Sequence, residues 1–355
     1  MRHLIDSTDL SRSEIDSLIT LAQDIIAAPE MYSDSCHGRK LATIFYEPST
    51  RTRLSFTSAM MELGGNVLGF SDAASSSASK GEGIADTIRV IDKFADIVAM
   101  RHFKEGAALV AAQHSAVPII NAGDGSHNHP TQTLTDLLTI VQEMGHVDGL
   151  TIGFCGDLKF GRTVHSLIKA LKMYHDIKIV LISPSELQLP SYVKDEIAGC
   201  DMEITHTESL EEALPQLDVL YMTRVQQERF ATLEEYERLK DCYILDEAKM
   251  TLAKEEMVVL HPLPRVNEIT RGVDADPRAA YFRQVEYGKY IRMALIFTLL
   301  KWKKKGELHS YKHYVAGDDE PSCVNAKCIT ATEDVDKLLT LDAAKRCAYC
   351  DKTTK

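Results

Sequence analysis

A short polar segment near the start of the chain has the residue types that bind a phosphate group. Residues 49–53, Ser-Thr-Arg-Thr-Arg, place three hydroxyls and two guanidinium groups side by side. Hydroxyls and the planar, permanently charged guanidinium group can donate hydrogen bonds to several phosphate oxygens at once. The alternative is an ordinary helix cap, but a cap needs one hydroxyl and no arginine. The segment therefore predicts an anion site that includes Ser49, Thr50, Arg51 and Thr52.

The elements on either side of this segment fit an anion site. The apolar run 41–46 predicts a buried strand, and apolar residues at helical spacing from Phe56 to Leu63 predict a helix. The polar segment then lies between the end of a strand and the start of a helix. Backbone N–H groups and the helix dipole favour an anion at such a point.

Three further arginines follow predicted strands. Arg101, Arg162 and Arg224 each come directly or shortly after an apolar run. Ligands of open α/β sheets bind at the carboxyl ends of the strands, so each arginine is a candidate ligand-binding residue. By position alone Arg101 could equally be a solvated surface residue, and an arginine placed like Arg162 or Arg224 is, taken singly, more often a surface residue than a site residue. Arg162 is unfavourable at a helix start because of the dipole, which favours a functional role for it.

Two other segments contain residues suited to holding a carbonyl group. His127 and His129 are two residues apart, a weak metal signal without a nearby cysteine or a second carboxylate cluster. We favour His129 as a hydrogen-bond donor to a carbonyl oxygen, with Gln132 one helical turn later. In residues 261–265, His-Pro-Leu-Pro-Arg, two prolines restrict the backbone around Leu263, which fixes carbonyl directions or simply makes a structural turn.

Four of the eight cysteines lie close to the C-terminus as Cys323-x4-Cys328 and Cys347-x2-Cys350. Two close pairs are typical of a tetrahedral zinc site, and disulfides, the alternative, are disfavoured in the cytoplasm. Residues 306–322 before them are polar and predict a linker. A nucleic-acid-binding segment is a rival interpretation, which the acidic excess of residues 306–355 opposes.

The whole chain sets wider limits. Its 355 residues predict two or three domains, and its formal net charge of −12 opposes nucleic-acid binding. We find no apolar run of the roughly 20 residues that span a bilayer and no signal-peptide core, so we expect no membrane partner and a cytoplasmic location. The spacing of Gly153, Gly156 and Gly161 is not the dinucleotide fingerprint, which leaves a nucleotide-dependent dehydrogenase a distant alternative.

Taken together, the motifs resemble those of the aspartate transcarbamoylase family. The resemblance covers roughly residues 1–305 and rests on residues 49–53, 100–102, 129–132, 156–163 and 261–265. Ornithine transcarbamoylases typically have a cysteine where this chain has Pro262. Their cationic substrate would also be repelled by Arg162 and Arg224, whereas aspartate offers two carboxylates that suit two arginines.

The resemblance implies a fold and a function. The fold is α/β, with two doubly wound parallel-sheet domains that form a cleft, followed by a small zinc-binding domain. We expect a carbamoyl-phosphate-binding domain at 1–133 and 286–306, an aspartate-binding domain at 134–285, and a linker with a four-cysteine zinc domain at 307–355. The reaction would be carbamoyl transfer from carbamoyl phosphate to L-aspartate, the committed step of de novo pyrimidine biosynthesis. An ornithine or other amine transcarbamoylase, and a non-catalytic zinc-dependent assembly protein, are the alternatives.

The resemblance also implies residue roles, with no organic cofactor and no catalytic metal. The residues implied for carbamoyl phosphate are Ser49, Thr50, Arg51, Thr52, Ser76, Arg101, His129, Gln132, Leu263 and Pro264. Thr52, Arg101 and His129 would stabilise the oxyanion. The residues implied for aspartate are Lys80, Arg162, Arg224 and Gln226. Ser76 and Lys80 match a loop that reaches a neighbouring subunit, which implies a trimer or dimer of trimers with shared active sites.

The cysteine segment resembles the zinc domain of the aspartate transcarbamoylase regulatory chain. The resemblance implies that Cys323, Cys328, Cys347 and Cys350 hold a structural Zn²⁺. Here the segment would be fused to a catalytic chain, without a counterpart of the nucleotide-effector domain. It would assemble or stiffen catalytic trimers.

Overall fold

The computed structural model describes residues 1–227, 230 and 232–355. They form two compact units, Met1–Thr131 with Gly288–Lys355, and Gln132–Tyr287. Each unit contains a parallel sheet with helices, which confirms the predicted α/β class. No helix among the described residues has both the length and the apolar character needed to cross a membrane.

The first unit is built on a four-stranded parallel sheet. Its strands are β1 (Lys40–Phe45), β2 (Asn66–Phe70), β3 (Ile97–His102) and β4 (Ile119–Asp124), and their spatial order is β2-β1-β3-β4. The helices between and before them are α1 (Arg12–Ala27), α2 (Thr50–Glu62), α3 (Ile84–Ile91) and α4 (Ala107–His114). The chain order of the strands reverses between β1 and β3, which is where open α/β sheets bind ligands.

Two long helices continue from one unit into the other along the chain. They are α5 (Pro130–Met144) and α11 (Tyr281–Lys305). The sequence predicts the second helix only from residue 287, because the apolar spacing that marks it begins there. In its first turns burial does not follow apolar character, because Phe282 and Val285 are exposed whereas Tyr281 and Gln284 are buried.

The second unit contains a five-stranded parallel sheet. Its strands are β5 (Thr151–Cys155), β6 (Ile177–Ile182), β7 (Met202–Thr207), β8 (Val219–Met222) and β9 (Val258–Leu260), in the order β7-β6-β5-β8-β9. Its helices are α6 (Arg162–Leu171), α7 (Ser191–Ile197), α8 (Leu210–Ala213), α9 (Leu233–Leu239) and α10 (Glu247–Met250). Here the strand order reverses between β5 and β8.

The C-terminal residues 307–355, called the C-terminal module below, pack within the first unit. They contain an antiparallel pair, β10 (His313–Val315) and β11 (Leu338–Thr340). β10 lies inside the segment that the sequence predicts as a linker. Ile329 and Tyr349 of the module are buried in one apolar cluster with Val110 of α4. The module therefore shares its core with the first unit.

Short 3-10 helices complete the described secondary structure. They span Ser7–Asp9, Pro29–Tyr32, Ala73–Ser75, Ser77–Lys80, Ser185–Leu187, Leu214–Gln216, Arg271–Ala275 and Ile329–Ala331.

Candidate active site and metal centre

The phosphate-type segment forms the start of α2, as predicted from its sequence. Ser49 is the N-cap residue, but within the described residues its hydroxyl makes no cap bond and donates to Thr52 Oγ1 at 3.1 Å. Thr52 is buried, whereas Arg51 is exposed. The ordinary capping alternative therefore does not account for these hydroxyls. Their position at a helix N-terminus suits an anion.

Arg101 lies beside this segment, at the end of β3. It is in register with Phe45 of β1, and its carbonyl accepts a hydrogen bond from Tyr46 N at 2.8 Å. Its guanidinium lies 3.5 Å from Glu47 Oε2, and its side chain is only 11% exposed. The reversal of strand order thus places a buried cation next to the first residues after β1, as the strand-end argument predicts.

His102, the last residue of β3, is held as a neutral ring. Burial lowers the pKa of His102 to about 4. Its Nδ1 accepts a hydrogen bond from Lys104 N at 2.9 Å, and its ring stacks on Phe103 with centroids 4.4 Å apart. These contacts fix the backbone that presents Arg101.

His129 precedes α5 in the first unit and is 4% exposed. Its Nδ1 lies 3.4 Å from Thr131 Oγ1, which holds the ring beside the start of the helix. Arg292 of α11 contacts the same helix start, with NH2 3.4 Å from Thr131 Oγ1. Its NH1 donates to Ser55 Oγ of α2 at 3.1 Å. Arg292 therefore links the start of α5 to α2, the helix that begins with the phosphate-type segment.

Sequence reasoning missed Arg292. It is 5% exposed and lies in a run of α11 where Ile291, Met293 and Ala294 are fully buried. A single charged residue inside an otherwise buried stretch needs partners, since an unpaired buried charge is costly. That mismatch is the signal from which it could have been found.

The predicted loop residues Ser76 and Lys80 lie between β2 and α3. The Ser76 hydroxyl donates to Ala73 O at 2.9 Å, and Lys80 is exposed at the end of the second 3-10 turn. The single chain leaves their role in a neighbouring subunit's site a prediction.

In the second unit the loops after β5 and β8 touch. The Gly156 Cα approaches Thr223 so closely that a Cβ would lie 2.3 Å from the Thr223 carbonyl oxygen. Asp157 N donates to Thr223 Oγ1 at 3.0 Å, and Gln226 Nε2 donates to Phe160 O at 3.2 Å. These loops continue directly into the half-buried Arg162 and Arg224.

The structure therefore brings together three of the four residues predicted for aspartate. Arg224 and Gln226 lie on the loop after β8, which is hydrogen-bonded to the loop after β5, and Arg162 is the first residue of α6 at the end of that second loop. The strand order of the second sheet reverses between these two strands. The fourth, Lys80, belongs to the first unit. Two guanidiniums, one on a loop and one at the helix start that follows the neighbouring loop, can hold two carboxylates.

A buried carboxylate, Asp136, organises the second unit's share of the predicted carbamoyl-phosphate residues. Its Oδ1 accepts from Gln132 Nε2 at 2.7 Å and from Gln284 Nε2 at 2.6 Å. Its Oδ2 accepts from Tyr221 OH at 3.0 Å, and it is 0% exposed. Burial and the neighbouring carboxylate raise the pKa of Tyr221 well above its ordinary value, so Tyr221 remains a donor.

The same network extends to the proline-flanked turn. Gln284 Oε1 accepts from His261 N at 3.0 Å, and His261 Nδ1 accepts from Leu263 N at 2.7 Å. His261 Nε2 lies 2.7 Å from Glu268 Oε1. Burial opposes the negative charge of Glu268, but the hydrogen bond with His261 holds the pKa of Glu268 below its ordinary value. Leu263 has a φ of 52°, a conformation that non-glycine residues rarely adopt and that is concentrated at functional sites.

We expect Asp136→Ala to weaken carbamoyl-phosphate binding and to lower stability. The change leaves Gln132, Gln284 and Tyr221 without their shared acceptor, and each hydrogen bond to a charged group contributes about 1.5–3 kcal/mol. The KM for carbamoyl phosphate should rise at least about tenfold, together with a lower melting temperature, as steady-state kinetics and thermal denaturation will record.

Glu143→Ala is the matched control for this prediction. Glu143 also lies on α5 and also binds residues of α11, through a 2.6 Å ion pair with Arg283 and a 3.1 Å hydrogen bond from Tyr287. These partners are outside the Gln132 network, so the change should lower stability and leave that KM unchanged. Equal KM effects in both variants would contradict a specific role for Asp136.

The four C-terminal cysteines form one cluster. Their sulfur atoms all lie within 4.8 Å of one another. Cys323 and Cys350 are 3.6 Å apart, and Cys328 and Cys347 are 3.9 Å apart. Tetrahedral coordination with metal–sulfur bonds of about 2.3 Å puts sulfurs about 3.8 Å apart, so the cluster fits such an ion. No disulfide links them, since all are free thiols.

His127 lies outside this cluster. Its ring bridges two carboxylates, with Nδ1 3.1 Å from Asp124 and Nε2 2.9 Å from Asp351. Burial opposes protonation, but the two carboxylates raise the pKa of His127 well above its ordinary value. The contact with Asp351, the residue after Cys350, joins the module to the segment before His129.

Both units are thus doubly wound α/β layers with cations at strand ends, and known proteins share this arrangement. Residues 2–142 match the carbamoyl-phosphate-binding domain of the aspartate/ornithine carbamoyltransferases, and residues 148–299 match their aspartate/ornithine-binding domain. The chain therefore belongs to the aspartate/ornithine carbamoyltransferase family. Neither match reaches the cysteine cluster.

Three relatives illustrate the similarity, and each is named for aspartate. The chain is 62% identical over 301 residues to the aspartate carbamoyltransferase catalytic subunit of Lachnoclostridium phytofermentans, covering 84% of this chain and 98% of the relative. The catalytic subunit of M. Jannaschii aspartate transcarbamoylase is similar in structure, with a TM-score of 0.80, 45% identity, and coverage of 86% of this chain and all of that one. The Trypanosoma cruzi enzyme in complex with carbamoyl phosphate and aspartate gives a TM-score of 0.78 at 42% identity, over 84% of this chain and 96% of that one.

Proposed function

We propose that this chain transfers the carbamoyl group of carbamoyl phosphate to the amino group of L-aspartate, giving N-carbamoyl-L-aspartate and phosphate. The observation that supports aspartate most directly is the pair of arginines that follow β5 and β8 of the second unit, Arg162 at the start of α6 and Arg224 in the loop after β8. Relatives named for the same activity support it independently. The product is a precursor for pyrimidine biosynthesis, and we place the enzyme in the cytoplasm.

The phosphate and carbamoyl groups are assigned to the residues at the sheet edge of the first unit and to the Asp136 network. Ser49, Thr50, Arg51 and Thr52 bind phosphate at the start of α2, with Ser76 from the loop. Arg101 and His129 donate to the carbamoyl oxygen together with Thr52. Gln132 and the carbonyls of Leu263 and Pro264 hold the carbamoyl NH₂. The first unit is accordingly the carbamoyl-phosphate-binding domain and the second the aspartate-binding domain.

The chemistry follows from these assignments. The aspartate α-amine attacks the carbamoyl carbon, a C–N bond forms, and the C–O bond to phosphate breaks. Charge builds on the carbonyl oxygen meanwhile, and preorganised donors at that oxygen are often the largest catalytic contribution. The leaving phosphate remains on the cations of the α2 start and can accept the proton that the amine loses. Neither an organic cofactor nor a catalytic metal is required for this sequence of bonds.

An assay with separate acceptors tests this proposal. Carbamoyl phosphate is supplied with aspartate or with ornithine, and released phosphate and carbamoylated product are followed. We expect turnover with aspartate only. Turnover with ornithine would retain the phosphate site and overturn the roles of Arg162 and Arg224. No turnover with any amine, from a metal-loaded oligomer, would favour a non-catalytic assembly protein.

We further propose that the cysteine cluster binds one structural Zn²⁺ per chain, as in the regulatory-chain zinc domain that its sequence resembles. The sulfur spacing and the burial of Cys328, Cys347 and Cys350 support this. When bound, the ion supplies a cross-link between the two cysteine pairs. Apart from the cysteines, the module buries few apolar residues, among them Ile329, Leu338 and Tyr349, so its fold should depend on that cross-link. In this interpretation the chain is a catalytic chain fused to a zinc domain.

Metal removal should unfold the C-terminal module. Structural zinc sites contribute folding free energy directly, so a chelator or Cys350→Ser should expose residues 306–355 to protease while elemental analysis shows less than one zinc per chain. Cys242→Ser is the control, because Cys242 is an exposed free thiol outside the cluster. Full zinc content and protease resistance in Cys350→Ser would contradict the assignment.

We also propose that the chain forms a homotrimer, or a dimer of trimers, with active sites shared between copies. Leu54 and Met61 of α2 are each 62% exposed and line a pocket with Ser49 and Thr50, which supports a second copy packing there. Lys80 and Ser76 would then enter the neighbouring site.

Mixing inactive variants tests this sharing. A refolded mixture of Arg51→Ala and Lys80→Ala chains should regain partial activity, because some sites receive both natural residues. No recovery in mixed oligomers of confirmed size would exclude shared sites.

A further inference from the structure

The C-terminal module contacts the rest of the first unit just beyond the end of β3. Glu105, four residues after Arg101, is fully buried, and its backbone pairs with Lys327 O and Ile329 N at 3.0 and 2.9 Å. Its carboxylate accepts from Asn325 Nδ2 at 2.6 Å and from Lys352 Nζ at 2.8 Å. Asn325 lies between the first two cysteines, and Lys352 follows the last one. Glu105 therefore binds both cysteine-bearing segments at once.

A second contact reaches the segment before His129. His127 bridges Asp351 of the module and Asp124 at the end of β4. Asp124 also accepts from Gly106 N at 2.7 Å and from Asn128 N at 3.0 Å. The ends of β3 and β4 are consequently joined to each other and to the module through one set of hydrogen bonds.

A third contact lies at the start of α3. Glu333 of the module accepts from Ile84 N with both carboxylate oxygens, at 3.2 and 3.1 Å. An acidic side chain at a helix N-terminus satisfies a backbone donor and favours the helix dipole. The loop that ends at this helix is the one that contains Ser76 and Lys80.

These contacts share one relation to the candidate active site. The first two fall close in sequence to Arg101 and His129, and the third falls on the helix that follows the loop of Ser76 and Lys80. The first two come from segments adjacent to cysteines of the cluster, and Glu333 lies just beyond the 3-10 turn that follows Cys328. A metal ion held by the four sulfurs would fix the relative position of the segments that hold Asn325, Asp351 and Lys352.

We propose that the metal-bound C-terminal module is a positioning element for the candidate active site, with Glu105, His127 and Glu333 as the points where it positions the loops of Arg101, His129 and Lys80. The inference rests on the roles proposed above for those three residues. Glu105, His127 and Glu333 are positioning residues, since they act through their neighbours. Coupling of this kind typically changes binding by about 0.5–2 kcal/mol.

The test breaks one contact and leaves the cysteines intact. Asp351→Gly removes the carboxylate that holds His127 and tolerates the positive φ of 58° at this position. In the full-length, zinc-loaded protein, the dissociation constant of carbamoyl phosphate, measured by calorimetry without aspartate, should rise about three- to tenfold. That of inorganic phosphate should change less, because its assigned residues lie at the start of α2. Amide exchange in residues 124–129 should accelerate. Asp351→Asn keeps an acceptor oxygen and tolerates the same φ, so it should restore most of the affinity.

A second variant and a control complete the design. Glu333→Ala should accelerate exchange in α3 and weaken the contribution of Lys80 in the oligomer, whereas Asp334→Ala, an exposed neighbour in the chain, should change neither quantity. Chelation of the wild-type protein should accelerate amide exchange in residues 124–129, as in Asp351→Gly, and also in residues 102–106, which include Glu105. Deleting residues 307–355 is a poorer test, because it would uncover the core that Val110 shares with the module.

Unchanged affinity and exchange in zinc-loaded Asp351→Gly and Glu333→Ala would overturn the inference and leave the module as mere packing. Failure of the proposed function is distinguishable, since it would appear as absent turnover and absent carbamoyl-phosphate binding in the wild-type protein. The exchange comparison would still decide the positioning role in that case.

Discussion

Arg51→Ala should lower kcat/KM by about 10²- to 10³-fold, as removal of a single transition-state donor does in other enzymes. The guanidinium lies in the first turn of α2, where backbone N–H groups and the helix dipole already favour the phosphate of the substrate and of the departing product. Loss of the charge should therefore affect both binding and the departure of phosphate. Steady-state kinetics with carbamoyl phosphate varied at saturating aspartate will measure the effect.

Two variants make this result specific. Arg51→Lys keeps the charge but not the planar fork, so its activity should fall between those of the wild type and Arg51→Ala. Arg53→Ala changes the other arginine of the segment, which is half-buried and has no assigned contact with the substrate, and should cost less than about threefold. Near-normal turnover in Arg51→Ala, or an equal loss in Arg53→Ala, would refute the assignment.

Arg224→Ala should raise the KM for aspartate by about 10- to 10²-fold, and Arg162→Ala should do the same. Each arginine is assigned to one carboxylate, and a charge-assisted hydrogen bond contributes about 1.5–3 kcal/mol. The dissociation constant of inorganic phosphate should change little, because its assigned residues lie in the first unit. Kinetics with aspartate varied, and calorimetry with phosphate, separate the two effects.

Arg238→Ala provides the matched control for these two variants. Arg238 lies in the same unit on α9, and its guanidinium is 2.6 Å from Glu186 Oε1 at the protein surface. Its removal should leave both constants unchanged. An increase in the phosphate dissociation constant for Arg162→Ala or Arg224→Ala, without a change for aspartate, would show that the assignment to aspartate is wrong.

The strand ends were predictable from sequence because their signals are local. An apolar run followed by an arginine indicated the positions of Arg101 and Arg224. Strands of a parallel sheet are buried on both faces, so a short continuous apolar run is readily interpreted as such a strand. The cysteine cluster was predictable for the same reason, since ligand spacing alone indicates it. β7 was missed because it is an edge strand with an exposed centre, including Ile204, and lacks a buried run.

What sequence could not supply are contacts between residues far apart in the chain. Asp136 looks like an ordinary polar residue in a helix until the fold brings Gln284 and Tyr221 to it. Glu105 gives no sign of its fully buried position, because its partners come from a segment more than two hundred residues away. Such pairings depend on topology and packing, which hydrophobic periodicity does not encode.

The C-terminal module packs on its own chain, so we expect this contact to be insensitive to dilution of the protein. α11 ends at Lys305 and β10 begins at His313, so only a short connection joins the module to its binding surface. A partner tethered by a short linker has an effective concentration on the order of millimolar, whatever the concentration of the protein. The Glu105 and His127 contacts should therefore persist in nanomolar assays, at a fixed ratio of one module per active chain. A separate module added in solution would need to reach comparable concentrations to displace it.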